Sequence, residues 1–264
     1  MSTGTRLRAG RRRPAATATS HRKQYVELLQ VADESSVAVM EAMRSVHDPG
    51  FTHIRALLPQ LGTVRRAEFR LCQYSSRYPQ FLGGEIPAIF NPALSAGTLM
   101  DIGTYCAHPA AALWGEPARI HAEAIMLHSG VDGAGTVVCG YDDPPGLSVS
   151  LHYSKITTSH TPSTIEGKLA TLEIDSITTP RQLTLITMDD AREQITVDGT
   201  EQTSRTPGNM QYQLAEFVRL ATAAPQERDH TALRNHHRAS LDTLAILDRT
   251  RQILGVHFPD DPWR

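Results

Sequence analysis

Cysteine is scarce in this sequence, and the three present, Cys72, Cys106 and Cys139, are widely separated with no C-x-x-C pair. That excludes a disulfide framework or a zinc knuckle and fits a reducing, cytoplasmic compartment. Long apolar runs are missing too; none approaches the roughly 20 residues needed to span a bilayer. Neither sign of charge dominates: 26 Lys and Arg against 28 Asp and Glu give a net charge of −2. A field that weak gathers neither nucleic acid nor acidic lipid. Lysine is confined to Lys23, Lys155 and Lys168. There is no Ser nucleophile elbow, P-loop or metalloprotease helix, and no repeat at a fixed period. "NHHR" at 235–238 puts its imidazoles about 100° apart on a helix, a poor grip for one metal, and reads as a solvated helix face.

What is present is a chain of 264 residues with 40% apolar and 20% charged side chains, ordinary for a globular protein. Residues 1–23 are arginine-rich and acid-free, with little to bury, and are expected to be a disordered basic tail. Residues 24–46 read as a helix, "QYVELLQVADESS", feeding a short buried strand, "VAVM", which is the rhythm of a parallel α/β sheet. A lone buried-type strand would be an exposed edge, so an upstream portion is expected to be missing. From residue 47 onward the pattern is a helix ending at Gly62, a strand over "TVRRAEFRLCQYSS" with one irregularity, a Gly- and Pro-rich loop, and an apolar helix closing at "WGEP". Strands then alternate with turn signals such as "VDGAG" and "DDPPG", and two helices finish the chain. "LSVSLHYS" separates Leu147, Val149, Leu151 and Tyr153 from Ser148, Ser150, His152 and Ser154, as in an antiparallel strand with one face on a core. The expected fold class is α+β, an open, mostly antiparallel sheet backed by helices.

The apolar helix carries three reactive side chains. Asp101, Tyr105 and His108 fall at i, i+4 and i+7, one stripe on an ideal α-helix. A phenol becomes a usable proton acceptor only where positive charge favours its ionised form, and Asp101 one turn away could hold a substrate hydroxyl or relay its proton. Equally, Asp101 could cap neighbouring backbone and Tyr105 could be a core aromatic. Arg77, Tyr78 and Asn91 precede the helix as candidates to line a substrate pocket or to anchor the loop.

"VAVMEAMRSVHDPGF", "LPQLGTVRRAEF", "FNPALSAGTLMDIGTY", "WGEP", "IEGKLATLEI" and "SLDTLAILDRTRQILGVHFPDD" resemble, in order, blocks of the Gfo/Idh/MocA family, named for glucose-fructose oxidoreductase and inositol dehydrogenase. The resemblance implies a Rossmann domain binding NAD or NADP, followed by a substrate domain on an open antiparallel sheet that also mediates homo-oligomers. It makes residues 24–46 a remnant of the nucleotide-binding domain and 47–264 the substrate-binding and oligomerisation domain. Asp101 then matches the family's helix aspartate, and Tyr105 the Tyr or His that handles the substrate proton. The family's glycine-rich phosphate turn has no counterpart before residue 25. "GAGTVVCG" at 133–140 reads as a hairpin turn, and no lysine matches the Glu-Lys-Pro motif. The expectation is the substrate domain of an NAD(P)-dependent oxidoreductase acting on a sugar- or polyol-like hydroxyl, N-terminally shortened, inactive alone and not binding the cofactor alone. The alternative is a non-catalytic oligomerisation or small-ligand-binding module. No metal, membrane or nucleic-acid partner is expected.

Overall fold

The computed structural model describes residues 17–197 and 209–263. Helix α1 (Arg22–Glu34) starts behind His21, whose Nδ1 accepts the Gln24 N–H at 3.3 Å, the acceptor an orphan first-turn amide needs. Packing begins earlier than residue 24. Thr17, Thr19, Ser20 and His21 are buried, and both Glu41 oxygens accept the Ala18 N–H, at 3.0 and 3.1 Å. Residues 17–23 therefore belong to the packed molecule and not to a tail; residues 1–16 lie outside the described residues.

The strand expected at "VAVM" does not form. Val37–Met40 pairs with no sheet, and Val37 is exposed. His237 near the C-terminus donates its Nε2–H to the Val39 carbonyl at 2.8 Å; a carbonyl can only accept, so the proton sits on Nε2. A side chain thus satisfies backbone that a strand would have offered to a neighbour, and the apolar anchoring passes to Met43, which is buried. Short helices α2 (Arg44–His47) and α3 (Pro49–Leu57) follow, the second opened by Asp48, whose Oδ1 accepts the Gly50 N–H at 2.8 Å.

The remaining order is β1 (Val64–Cys72), α4 (Tyr78–Leu82), α5 (Thr104–Trp114), β2 (Arg119–Met126), β3 (Asp132–Gly140), β4 (Ser148–Ser154), β5 (Ser163–Gly167), β6 (Ala170–Ile174), β7 (Gln182–Thr187), β8 (Arg192–Thr196), α6 (Met210–Thr222) and α7 (His230–Leu254). One sheet contains the eight strands among the described residues, ordered β2-β3-β4-β1-β5-β6-β7-β8. Every pairing is antiparallel except β1 with β4, which aligns Phe69 with Leu151 and Arg70 with His152. The expected open, mostly antiparallel sheet is the observed one, and the irregularity in β1 is a register shift between Val64 and Arg66.

Alternation decides which side is covered. Ala67, Phe69, Val149, Leu151, Tyr153, Ile165, Leu172 and Leu183 are buried, and α5 and α7 lie over this face. Each large apolar side chain so placed contributes about 1.5–3 kcal/mol. The opposite face presents Arg66, Glu68, Arg70, Ser150, His152 and Glu166, with Arg66 and Glu166 paired at 3.0 Å. Gly133 and Gly135 lie inside β3 and not in a turn. The turn is Leu127–Val131, closed by the Leu127 N–H on the Val131 carbonyl at 2.8 Å, with Gly130 at φ +85°. A side chain on Gly135 would run into the Tyr153 hydroxyl, so the glycine makes room for a buried ring. The Gly- and Pro-rich loop also holds more structure than expected: α4 and two 3₁₀ turns. No helix among the described residues is long and apolar enough to cross a membrane.

Candidate active site

The helix that carries the reactive side chains is not uniformly α. Leu99–Gly103 is a single π turn, in which the Thr104 N–H reaches the Leu99 carbonyl five residues back; such turns recur at functional sites. Its start is pinned by Asp132 of β3, whose buried Oδ2 accepts the Leu99 N–H at 2.6 Å. Burial pushes the Asp132 carboxyl up to about 6, against the lowering effect of that bond. Residues advance less about the axis through a wider turn, so the three-residue stripe splits. Asp101 and Tyr105 stay on the half-open side. His108 is 3% exposed and faces α7, where Thr243 donates its hydroxyl to the Ala239 carbonyl at 2.6 Å and therefore accepts from His108 Nδ1 at 2.9 Å.

Asp101 Oδ2 lies 2.5 Å from Lys155 Nζ, the two side chains being 20% and 16% exposed. Lys155 follows β4 directly. Its N–H donates to the Gly133 carbonyl at 3.0 Å and its own carbonyl accepts the Ser75 N–H at 2.8 Å, so the sheet end aims the lysine. Tyr105 meets Arg44 of α2, whose Cζ lies over the ring, 5.7 Å from its centroid. Burial raises the phenol above its ordinary value; Arg44 opposes that, while Asp101 and Glu41 add to it. Burial also lifts the Glu41 carboxyl to about 7, despite the Ala18 and Ala42 amides it accepts. The result is a carboxylate and a phenol side by side, each held by its own cation, able to grip a hydroxyl and move its proton.

The other candidates serve the loop. Arg77 is exposed, and its N–H donates to Ser75 Oγ at 3.2 Å. Tyr78 is half-buried in an aromatic cluster, stacked on Phe81 with centroids 6.1 Å apart and edge-on to Phe90. Asn91 Oδ1 accepts the Ala93 N–H at 3.0 Å and caps a 3₁₀ turn. None of these contacts reaches Asp101 or Tyr105. Lys155, Arg44 and Glu41 were missed by pattern reading. Local spacing carries no register between a strand end and a helix far away in sequence, and the one available signal was the rarity of lysine.

"NHHR" is not a solvated face: besides His237 on Val39, His236 Nε2 is 3.2 Å from Glu216 Oε1, and its ring lies 4.9 Å from that of His47. No group of three or more His, Cys, Asp or Glu among the described residues could hold a metal. A dinucleotide is fitted no better. Its pyrophosphate needs glycines that open a helix with free amides, whereas Gly133 and Gly135 are strand residues whose vacant Cβ positions are taken up by Leu127, Ile156 and Tyr153. Gly133 and Gly135 therefore do not form a cradle for a pyrophosphate.

Residues 53–203 match the model of the GFO/IDH/MocA C-terminal domain. The chain belongs to the GFO/IDH/MocA family. It is 37% identical over 242 residues to scyllo-inositol 2-dehydrogenase (NADP(+)) IolU of Bacillus subtilis, covering 92% of this chain and 70% of that protein. It is 36% identical over 231 residues to an uncharacterized oxidoreductase, YgjR, of Escherichia coli, covering 87% of this chain and 66% of the relative. The chain thus spans about two thirds of the length of these family members. Among solved structures, a 3-ketoreductase from Actinomadura kijaniata in complex with NADP and TDP-benzene aligns with a TM-score of 0.68 at 20% identity, over 89% of this chain and 68% of the other. That likeness shows the shared fold.

Proposed function

We propose that this chain is the substrate-handling part of an NAD(P)-dependent GFO/IDH/MocA oxidoreductase acting on a sugar- or polyol-like hydroxyl. The observation that carries the reading is the Asp101–Lys155 ion pair beside the Tyr105–Arg44 pair. Asp101, paired with Lys155, accepts a hydrogen bond from the substrate hydroxyl, and Tyr105 takes its proton when ionised. The relative of 37% identity is named for scyllo-inositol, which makes that polyol the probe of choice. Residues 24–46 are read as a remnant of the nucleotide-binding domain, represented here by α1 and an irregular segment. The polar sheet face is read as the surface through which copies of the chain associate.

Two measurements test the reading. In saturation-transfer NMR, scyllo-inositol is expected to bind the chain weakly and to lose contact in a Tyr105→Phe, Asp101→Asn variant; binding indifferent to both changes would remove these residues from the site. In fluorescence titration, NADH and NADPH are expected to show no micromolar binding to the chain alone. Micromolar binding would overturn the absence of a cofactor cradle.

A further inference from the structure

Arg44 stands out among the cations near the site. Lys155 is tied to a carboxylate, whereas Arg44 is half-buried and joins no ion pair among the described residues. Among the described residues, its ring contact is with Tyr105. Its placement is determined by the fold. Met43 immediately before it is fully buried and Ser45 after it has no exposure, so the backbone of α2 is clamped on both sides and the guanidinium is directed at the α5 phenol. A charged group taken half out of water without a counter-ion is costly, and a neutral phenol offsets little of that cost. A phenolate would offset far more, because an opposite charge that close favours the ionised form of both groups.

We propose that Arg44 is a positioning residue that lies over the Tyr105 ring and supplies the positive charge that lets its hydroxyl act as a proton acceptor. The inference deepens the functional reading above and rests on its assignment of Tyr105. The charged groups facing Tyr105 are Arg44 from α2, Asp101 from the π turn and Glu41 from the preceding segment. Lys155 from the end of β4 acts through Asp101: by pairing with the carboxylate it screens the negative charge nearest the phenol, so the charge of Arg44 is less opposed. Two cations on two separate elements thus do what neither does alone.

The test needs neither substrate nor cofactor. Tetranitromethane nitrates tyrosine through the phenolate, so the rate of nitration at Tyr105, followed by peptide mass spectrometry at pH 8, reports the ionised fraction. Arg44→Met is expected to slow nitration of Tyr105 at least fivefold, with its rate-against-pH curve displaced upward, while Arg44→Lys stays within about twofold of wild type. Removing a long side chain from over the ring opens access to it, so any steric effect works against the expected decrease. Should Arg44→Met fail to fold, Arg44→Gln retains a donor and removes only the charge, and the same decrease is expected. An unchanged or faster rate in the Met or Gln variant overturns the proposal, as does an Arg44→Lys variant as slow as Arg44→Met. Because no turnover is measured, failure here is distinguishable from failure of the dehydrogenase reading, which the inositol-binding experiment addresses.

Discussion

Asp101 and Lys155 are the residue pair on which the site is built, and they make a direct prediction about stability. Both are mostly buried, so removing one leaves the other desolvated without a partner. Lys155→Met is expected to destabilise the chain by about 1.5–3 kcal/mol, the range for a hydrogen bond to a charged group. Adding Asp101→Asn should return part of that loss, because the orphaned charge is then gone. Thermal denaturation of the two single variants and the double variant measures the coupling; strictly additive effects would mean that the pair does not interact in solution. Asp101 and Tyr105 were legible as a pair from spacing and from the family resemblance. Their cations were not, since Arg44 and Lys155 reach the pair only through the packing of α2 and the end of β4.

Helices α2, α5, α6 and α7 meet at a cluster of imidazoles, and this junction makes the molecule acid-sensitive. Burial, and then the charges of His47, His236 and Arg55, hold His108 down at about 3. Burial and the charge of His236 likewise lower His47 to about 4. The unfolded chain, with imidazoles near 6.5, therefore binds protons first as pH falls. The contribution of a neutral His108 is complete above pH 6.5 and is lost progressively below it, reaching about 2 kcal/mol at pH 5. Glu41 works in the opposite direction. With its carboxyl raised to about 7, its contribution is present at low pH and declines as pH rises from its ordinary value toward 7. The wild-type curve sums these and the other shifted groups, so the difference between wild type and His108→Leu isolates the imidazole. Urea midpoints at pH 7.5 and 5 should show a shallower acid loss in the variant; parallel curves would refute the assignment. The π turn changes the angle between this histidine and Asp101. Counting 3.6 residues per turn puts His108 beside Asp101, whereas a turn closed five residues back hands it to α7.

At the scale of the whole molecule, the two ends of the described chain are fastened together through one buried arginine. Arg251 has no exposure. It donates to both oxygens of Asp261 at 2.9 Å, to Asp248 at 3.2 Å and to the Ser20 carbonyl at 3.3 Å, and its Cζ lies 4.1 Å from the Phe258 ring centroid. Asp248 in turn accepts the Arg22 N–H at 2.9 Å. This knot holds residues 17–22 down, and through them the Ala18 amide that occupies Glu41 near the site. Arg251→Met strands Asp261 and Asp248 and is expected to cost about 3–5 kcal/mol, the range for a broken buried pair. Asp261→Asn in the same chain should recover part of it, and denaturant titration of both variants decides. A loss under about 1 kcal/mol, the usual size for an exposed pair, would show that the knot is open in solution.

Two-residue alternation and Gly and Pro punctuation were enough to name the strands and the two closing helices, because those signals are local and the core they face is continuous. The same local signals failed where a distant element intervened. "VAVM" forms no strand, and His237 holds one of its backbone carbonyls; "VDGAG" forms no turn, and there Asp132 faces inward to hold the π turn while Gly135 yields its space to Tyr153. Sequence by itself determined the open antiparallel sheet and the side-by-side carboxylate and phenol, which follow from periodicity and adjacent spacing, and the family, which follows from the resemblance of its motif blocks. Only the tertiary structure decided which cations charge that pair and which histidine leaves it, because interactions across the fold depend on where chain segments meet.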